Sequence, residues 1–156
     1  MSDRPATTKT ILIVEDDKLT AHVYSSLFKR AGYRVEHAFD GLSAIDFLEQ
    51  NNPDAVLLDI MLPGKNGIEV LKAFRSKAAA KATPVTAVTN ALIPHFVQAA
   101  REAGATSIFS KASVTPMELT ESFCSQGQDH SRQHTELSYV PVDSRRTRAS
   151  ISEAAA

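Results

Sequence analysis

The sequence predicts an α/β fold, a five-stranded parallel sheet wound with helices on both faces. Three observations carry it: short apolar runs rich in β-branched residues, helical periodicities between those runs, and glycine, proline and capping residues at the joints. Thr10-Ile-Leu-Ile-Val14 is a continuous apolar run of the kind buried on both faces of a parallel sheet, and predicts the first strand. A helix follows on the periodicity Leu19, Val23, Leu27 and Ala31, closed by Gly32 at a position where a left-handed residue ends a helix. Arg34-Val-Glu-His-Ala38 alternates apolar with polar side chains, as a half-covered edge strand does. Asp40 caps a second helix patterned by Leu42, Ile45 and Leu48. Pro53 precedes the third strand, Ala55-Val-Leu-Leu58, where a missing N–H does least harm. Ile68, Leu71 and Phe74 mark the third helix, and Pro84 introduces the fourth strand, Val85-Thr-Ala-Val88. Phe96, Ala100 and Ala103 mark a fourth helix ending at Gly104, before the fifth strand Ser107-Ile-Phe-Ser110. Thr115-Pro-Met-Glu118 reads as a capping box with proline at the first helical position, starting a fifth helix that reaches to about Phe123. Right-handed crossovers make one parallel sheet the expected way to join five such units.

At 156 residues and 43% hydrophobic side chains, the chain fits one domain with a real core. That domain is predicted at residues 9–124, after a short extension at 1–8 and before a tail at 125–156. The tail is polar and unperiodic, too poor in large apolar groups to offset its ordering entropy, and is predicted to be disordered. Its Tyr139-Val-Pro-Val and Arg145-Arg-Thr-Arg stretches suit a docking segment and a basic patch, although a solvated tail is the preferred reading. A formal net charge of −1 gives no field steering the molecule to nucleic acid or an anionic membrane. The single cysteine, Cys124, has no partner for an internal disulfide, MSDRPATTK lacks the apolar core of a signal peptide, and no run approaches the ~20 apolar residues of a membrane span. A cytoplasmic protein that contacts neither nucleic acid nor membrane is expected.

Open α/β sheets bind ligands beyond the carboxyl ends of their strands, beside the switch in strand order. Glu15-Asp16-Asp17 follows the first strand, Asp59 the third, Thr89-Asn90 the fourth and Lys111 the fifth, whereas the second ends in Ala38-Phe39. That exception is what the flavodoxin-like order 2-1-3-4-5 predicts, because it places the second strand at an edge. Taken singly, these residues have bland readings as helix caps, turn residues or solvated amines. Together they place three carboxylates at one point, where mutual repulsion calls for a cation. Oxygen-only ligands with room for water suit Mg²⁺ or Mn²⁺. Such a set fits phosphoryl transfer: Asp59 as nucleophile, the metal and Lys111 cancelling phosphoryl charge, and the Thr89 hydroxyl donating a hydrogen bond.

Ile11-Leu-Ile-Val-Glu-Asp-Asp17, Val56-Leu-Leu-Asp-Ile-Met-Leu-Pro-Gly64, Asn66-Gly-Ile-Glu-Val70, Val88-Thr-Asn90 and Lys111 together resemble the receiver domain of bacterial two-component response regulators, from about Lys9 to Phe123. The resemblance implies a stand-alone signalling switch that takes a phosphoryl group on Asp59 from a histidine kinase or phosphotransfer protein. It implies that Asp16 ligates the metal directly and Glu15 through water, with Asp59 and the backbone carbonyl of Met61 completing the protein ligands, while Asp17 caps the first helix. It further implies that Thr89 and Lys111 bind the phosphoryl group, that an effector protein reads the phosphorylated surface, and that copies could pair through the fourth helix, fifth strand and fifth helix. On this reading the chain is not an enzyme beyond catalysing its own phosphorylation and slow dephosphorylation.

The chain departs from the family pattern at several positions. Lys111-Ala112 replaces the usual cis Lys-Pro, leaving a trans peptide with a displaced lysine and a strained arrangement both open. The aromatic switch position falls on Ile108, and Phe109 faces the other side of its strand. Asn90 stands where a small residue is common, and Met61 and Ala91, which flank the path of an attacking water, are apolar. Ile108 and Ala112 motivate the alternative of a pseudo-receiver acting as a phosphorylation-independent scaffold. A haloacid dehalogenase-type phosphatase would want a second acid two residues after Asp59, where Met61 stands, and a phosphotransfer role for His22 would want an all-helical bundle.

Overall fold

The computed structural model describes residues 7–90 and 92–126. Five strands and five α-helices alternate: β1 (Thr10–Val14), α1 (Lys18–Arg30), β2 (Arg34–Ala38), α2 (Gly41–Gln50), β3 (Ala55–Asp59), α3 (Gly67–Arg75), β4 (Val85–Thr89), α4 (Pro94–Glu102), β5 (Ser107–Ser110) and α5 (Pro116–Gln126), with a 3₁₀ turn at Ala78–Ala80. The strands form one parallel sheet in the order β2-β1-β3-β4-β5, as predicted. Alternate residues of the central strands feed opposite cores. Leu12, Val14, Val56 and Leu58 pack under α2, α3 and α4, while Ile11, Ile13 and Leu57 pack under α1 and α5. This is why the strands read as unbroken apolar runs.

The joints follow the predicted chemistry. The Asp17 carboxylate accepts from the Leu19 and Thr20 amides, Asp40 accepts from the Ser43 amide at 2.7 Å, and Thr115 and Glu118 cap each other reciprocally. Gly32 and Gly104 have φ of 93° and 102°, the left-handed values that close α1 and α4. A second capping box, Asn66 with Glu69 at the start of α3, went unread in the sequence. Two basic side chains cap carbonyls at helix ends: Lys77 donates to Leu48 at the end of α2, and Arg75 donates to Ala80 and, at 3.0 Å, to the Gly104 carbonyl.

The buried face of α1 corrects the sequence reading. It is Ala21, Tyr24, Ser25 and Phe28, whereas Leu19 and Val23 are 79% and 46% exposed and Ala31 lies outside on the surface. Two apolar stripes compete on this helix, and the aromatic one wins because it buries more area. Phe28 meets Tyr33 and Phe123 edge-on, at 5.5 and 5.1 Å between ring centroids. On α2, Leu48 and Ala44 are buried and Ile45 is half-buried, but Leu42 is exposed. Leu19→Ser is accordingly expected to change unfolding free energy by no more than about 0.5 kcal/mol, read from the urea midpoint; a core-sized loss would return Leu19 to the buried face.

β3 and β4 each run one residue beyond the predicted ends, so that Asp59 and Thr89 are ladder residues, and α5 continues to Gln126. Most of the predicted tail, with its Tyr139 and Arg145 stretches, and residues 1–6 lie outside the described residues. Among the described residues, no helix is long and apolar enough to cross a membrane.

Candidate functional site

The carboxyl ends of β1, β3, β4 and β5 converge because the four strands are adjacent, parallel and in register. Glu15, one residue past β1, is only 2% exposed, and its amide donates to the Ala38 carbonyl at 3.1 Å, continuing the ladder with β2. Asp59 closes β3 at 3% exposure, and Thr89 closes β4 at 4%. Thr89 pairs with Ser110, and its carbonyl accepts from the Lys111 amide at 2.9 Å, which fixes where the lysine leaves the sheet.

From there the Lys111 ammonium reaches Asp59 Oδ2 at 2.8 Å and Glu15 Oε2 at 2.5 Å. The other Asp59 oxygen, Oδ1, accepts from the Met61 amide at 2.8 Å, so both ends of the carboxylate are held. Oxygens of Glu15, Asp16 and Asp59 lie within 4.8 Å of one another, with Asp16 exposed and the other two buried. One ammonium thus serves two buried carboxylates. Burial alone would lower the Lys111 pKa, but its hydrogen bonds to Asp59 and Glu15 and the attraction of both carboxylates together outweigh that and raise it, so the ammonium stays charged. Burial raises the Glu15 pKa, reinforced by the Asp59 charge and opposed by Lys111. The hydrogen bond from Thr20 chiefly lowers the pKa of Asp17, the exposed α1 cap.

Lys111–Ala112 is a trans peptide, yet the lysine is not displaced from Asp59. Ala112 is exposed and its amide donates to Ser110 Oγ at 3.3 Å. Ile108 is half-buried against the α2–α4 side of the sheet, and Phe109 packs on the opposite side with α1 and α5, as strand alternation requires. Met61 is 54% exposed, beside Asp59, and Asn90 is exposed beyond Thr89. Ala91 lies outside the described residues. Tyr24 was not singled out in the sequence; it is buried on α1, close enough to feel the charges of Lys111, Glu15 and Asp59, and burial raises its phenol pKa. Its spacing from Ala21 and Phe28 was the available signal.

The acidic trio fits a hard divalent cation: its donors are all oxygen, two are buried, and one faces solvent where waters could complete an octahedron. Comparison with known proteins agrees with the geometry. The response regulator receiver domain family matches residues 11–123. The polar-differentiation response regulator DivK of Brucella ovis is 32% identical over 109 residues, covering 70% of this chain and 89% of that protein. The chemotaxis protein CheY4 of Vibrio cholerae superposes with a TM-score of 0.70 at 28% identity, over 76% of this chain and 98% of that one. The receiver domain of a Pseudomonas aeruginosa sensor histidine kinase, solved with a magnesium ion coordinated in its active-site cleft, superposes with a TM-score of 0.66 at 26% identity, over 73% of this chain and 93% of its own. With its strand order, its convergent strand ends and a match across nearly all of the described fold, this chain belongs to the response regulator receiver domain family.

Proposed function

We propose that this domain is a phosphoacceptor switch: Asp59 takes a phosphoryl group from a histidine kinase or phosphotransfer protein, and an effector protein reads the change. The observation that carries this reading is the Lys111 ammonium shared between Glu15 and Asp59, beside a buried Thr89, at the mouth of the sheet. Asp16, Asp59 and the Met61 carbonyl would hold Mg²⁺ or Mn²⁺, with Glu15 acting through water. When bound, that cation would neutralise charge on the transferring oxygens. The chain's own groups divide the remaining work. The amide of Met61 and the ammonium of Lys111 fix the Asp59 carboxylate, so an oxygen is presented without a search through rotamers. A bond forms from that oxygen to phosphorus as the phosphorus–nitrogen bond of the donor phosphohistidine breaks. The electron pair stays on the imidazole, which leaves neutral because its other nitrogen carries a proton. Lys111 and the Thr89 hydroxyl then serve the phosphoryl oxygens. Turnover is confined to the chain's own carboxylate, so the protein is not an enzyme acting on a separate substrate, and the cytoplasm is its proposed compartment.

With Ile108 in place of an aromatic, the proposed route from Thr89 outward is the backbone bond from the Lys111 amide to the Thr89 carbonyl, which joins β4 to the start of the β5–α5 loop. The face of α4, β5 and α5 is the proposed output surface and the place where copies could pair.

Incubating the native protein with acetyl phosphate and Mg²⁺ should add one phosphoryl group to the intact mass, and a chelator should prevent it. No mass gain would favour the phosphorylation-independent scaffold. Met61 offers no group to orient an attacking water, so self-dephosphorylation should be slow once the donor is removed. Met61→Asn is expected to speed the decay on the order of tenfold by positioning that water; a native half-life of seconds would contradict this.

A further inference from the structure

Gly41 opens α2, immediately after its cap Asp40, and its φ lies outside the left-handed region. Its backbone conformation therefore does not require glycine. Space does: a Cβ on Gly41 would stand 2.0 Å from the Lys65 carbonyl oxygen and 2.6 Å from the Lys65 Cβ. Lys65 belongs to the loop between β3 and α3, the segment that carries Met61 away from Asp59.

That loop has little slack at its neck. The Gly67 amide donates to the Ile60 carbonyl at 3.0 Å, and a Cβ on Gly67 would meet the Asp59 carbonyl oxygen at 2.3 Å. Ile60 and Leu62 are buried in the core, and the Met61 amide is spent on Asp59. The outer turn, Pro63 to Asn66, is exposed and rests on the start of α2. α2 itself is fixed by buried Ala44 and Leu48 and by Lys77 on the Leu48 carbonyl in its last turn. Between a helix seated in the core and an exposed turn, the turn is the part that must yield.

We propose that Gly41 is a positioning residue for the phosphoryl site: by lacking a side chain it sets where Lys65 rests, and through the closed loop where Met61 presents its amide to Asp59 and its carbonyl to a cation. The proposal rests on the phosphoacceptor reading for its functional meaning, and on steric contact alone for its structural one.

The test is Gly41→Ala in the full chain. Alanine is the better helix former, so α2 gains nothing to explain a defect. The Met61 and Leu62 amide resonances of the metal-free protein should shift, and the Mg²⁺ dissociation constant from calorimetry should rise by about tenfold to a hundredfold, as when a supporting shell is disturbed. Adding Lys65→Gly, which removes the Cβ contact and frees that backbone, should restore much of the affinity. Should Gly41→Ala fail to unfold cooperatively, the double variant is read instead, and recovery of fold and affinity supports the contact. Unmoved Met61 and Leu62 resonances, or a double variant no better than the single one, would overturn the proposal. If the native protein binds neither Mg²⁺ nor beryllofluoride, the phosphoacceptor reading fails on its own, and the metal-free resonances still decide whether Gly41 positions the loop.

Discussion

Asp59→Asn is expected to abolish phosphorylation while leaving the fold intact. An amide cannot accept the phosphoryl group, so the variant should show no mass gain with acetyl phosphate and Mg²⁺ under conditions where the native chain gains one group. The replacement is nearly isosteric, and its carbonyl oxygen still accepts from the Met61 amide, now seen at 2.8 Å on Oδ1. Lys111 keeps its other partner, Glu15. The buried charge balance improves, from two carboxylates per ammonium to one, and Glu15 loses the Asp59 charge that helps raise its pKa. Thermal stability should therefore stay level or rise. A mass gain that persists in Asp59→Asn would move the phosphoacceptor elsewhere and sink the central proposal.

Lys111→Met is expected to have the largest effect on stability. Methionine fills the space of the lysine stem but leaves Glu15 and Asp59 buried, with carboxylate oxygens within 4.8 Å and no shared ammonium. Removing one member of a buried ionic cluster costs about 3–5 kcal/mol, most of it the uncompensated charge left behind. The dependence on pH fixes the cause. Burial already raises the Glu15 pKa in the native chain, and loss of Lys111 removes the main opposing influence. A carboxyl raised above its unfolded value contributes stability that is full below the unfolded pKa and lost as pH rises through the folded one. The deficit of Lys111→Met relative to the native protein should therefore be greatest at neutral pH and shrink in mild acid, as followed by urea midpoints. Mg²⁺ at neutral pH should restore part of it by replacing the missing cation. A deficit independent of both pH and Mg²⁺ would mean that lost packing dominates.

Much of this arrangement was legible in the sequence, for reasons particular to each element. β1 and β3 are apolar throughout because both faces are covered, so Thr10–Val14 and the run from Ala55 announced themselves and carried Glu15 and Asp59 to the same end of the sheet. Thr115 with Glu118 could be read because proline at the first helical position marks that capping box, whereas Asn66 with Glu69, equally local, has no such marker. The inner face of α1 could not be chosen by periodicity, since Leu19–Val23–Leu27 and Ala21–Tyr24–Phe28 both repeat at helical spacing. The choice came from what β1 and α5 present to the helix, chiefly Phe123. The rotamer of Lys111 was equally hidden. Family pattern linked its placement to a following proline, whereas here the Lys111 amide on Thr89 and two carboxylates on the ammonium hold it beside Ala112. The contact of Gly41 with Lys65 joins the start of α2 to the distant β3–α3 loop, and no local signal marks it.

The shared ammonium also has a meaning for the order in which the protein can form. Lys111 lies 96 residues after Glu15 and 52 after Asp59. During synthesis the acidic pocket is complete before its counter-charge exists, and until β5 docks, repulsion between the two carboxylates works against closing β1 onto β3. The final strand therefore completes the sheet's hydrogen bonding and also discharges its interior. Contacts of such long sequence separation form late, so the site should be among the last parts of the sheet to consolidate on refolding. Chains interrupted before Ser107 should depend on a divalent cation, or on acid, to hold what they have built.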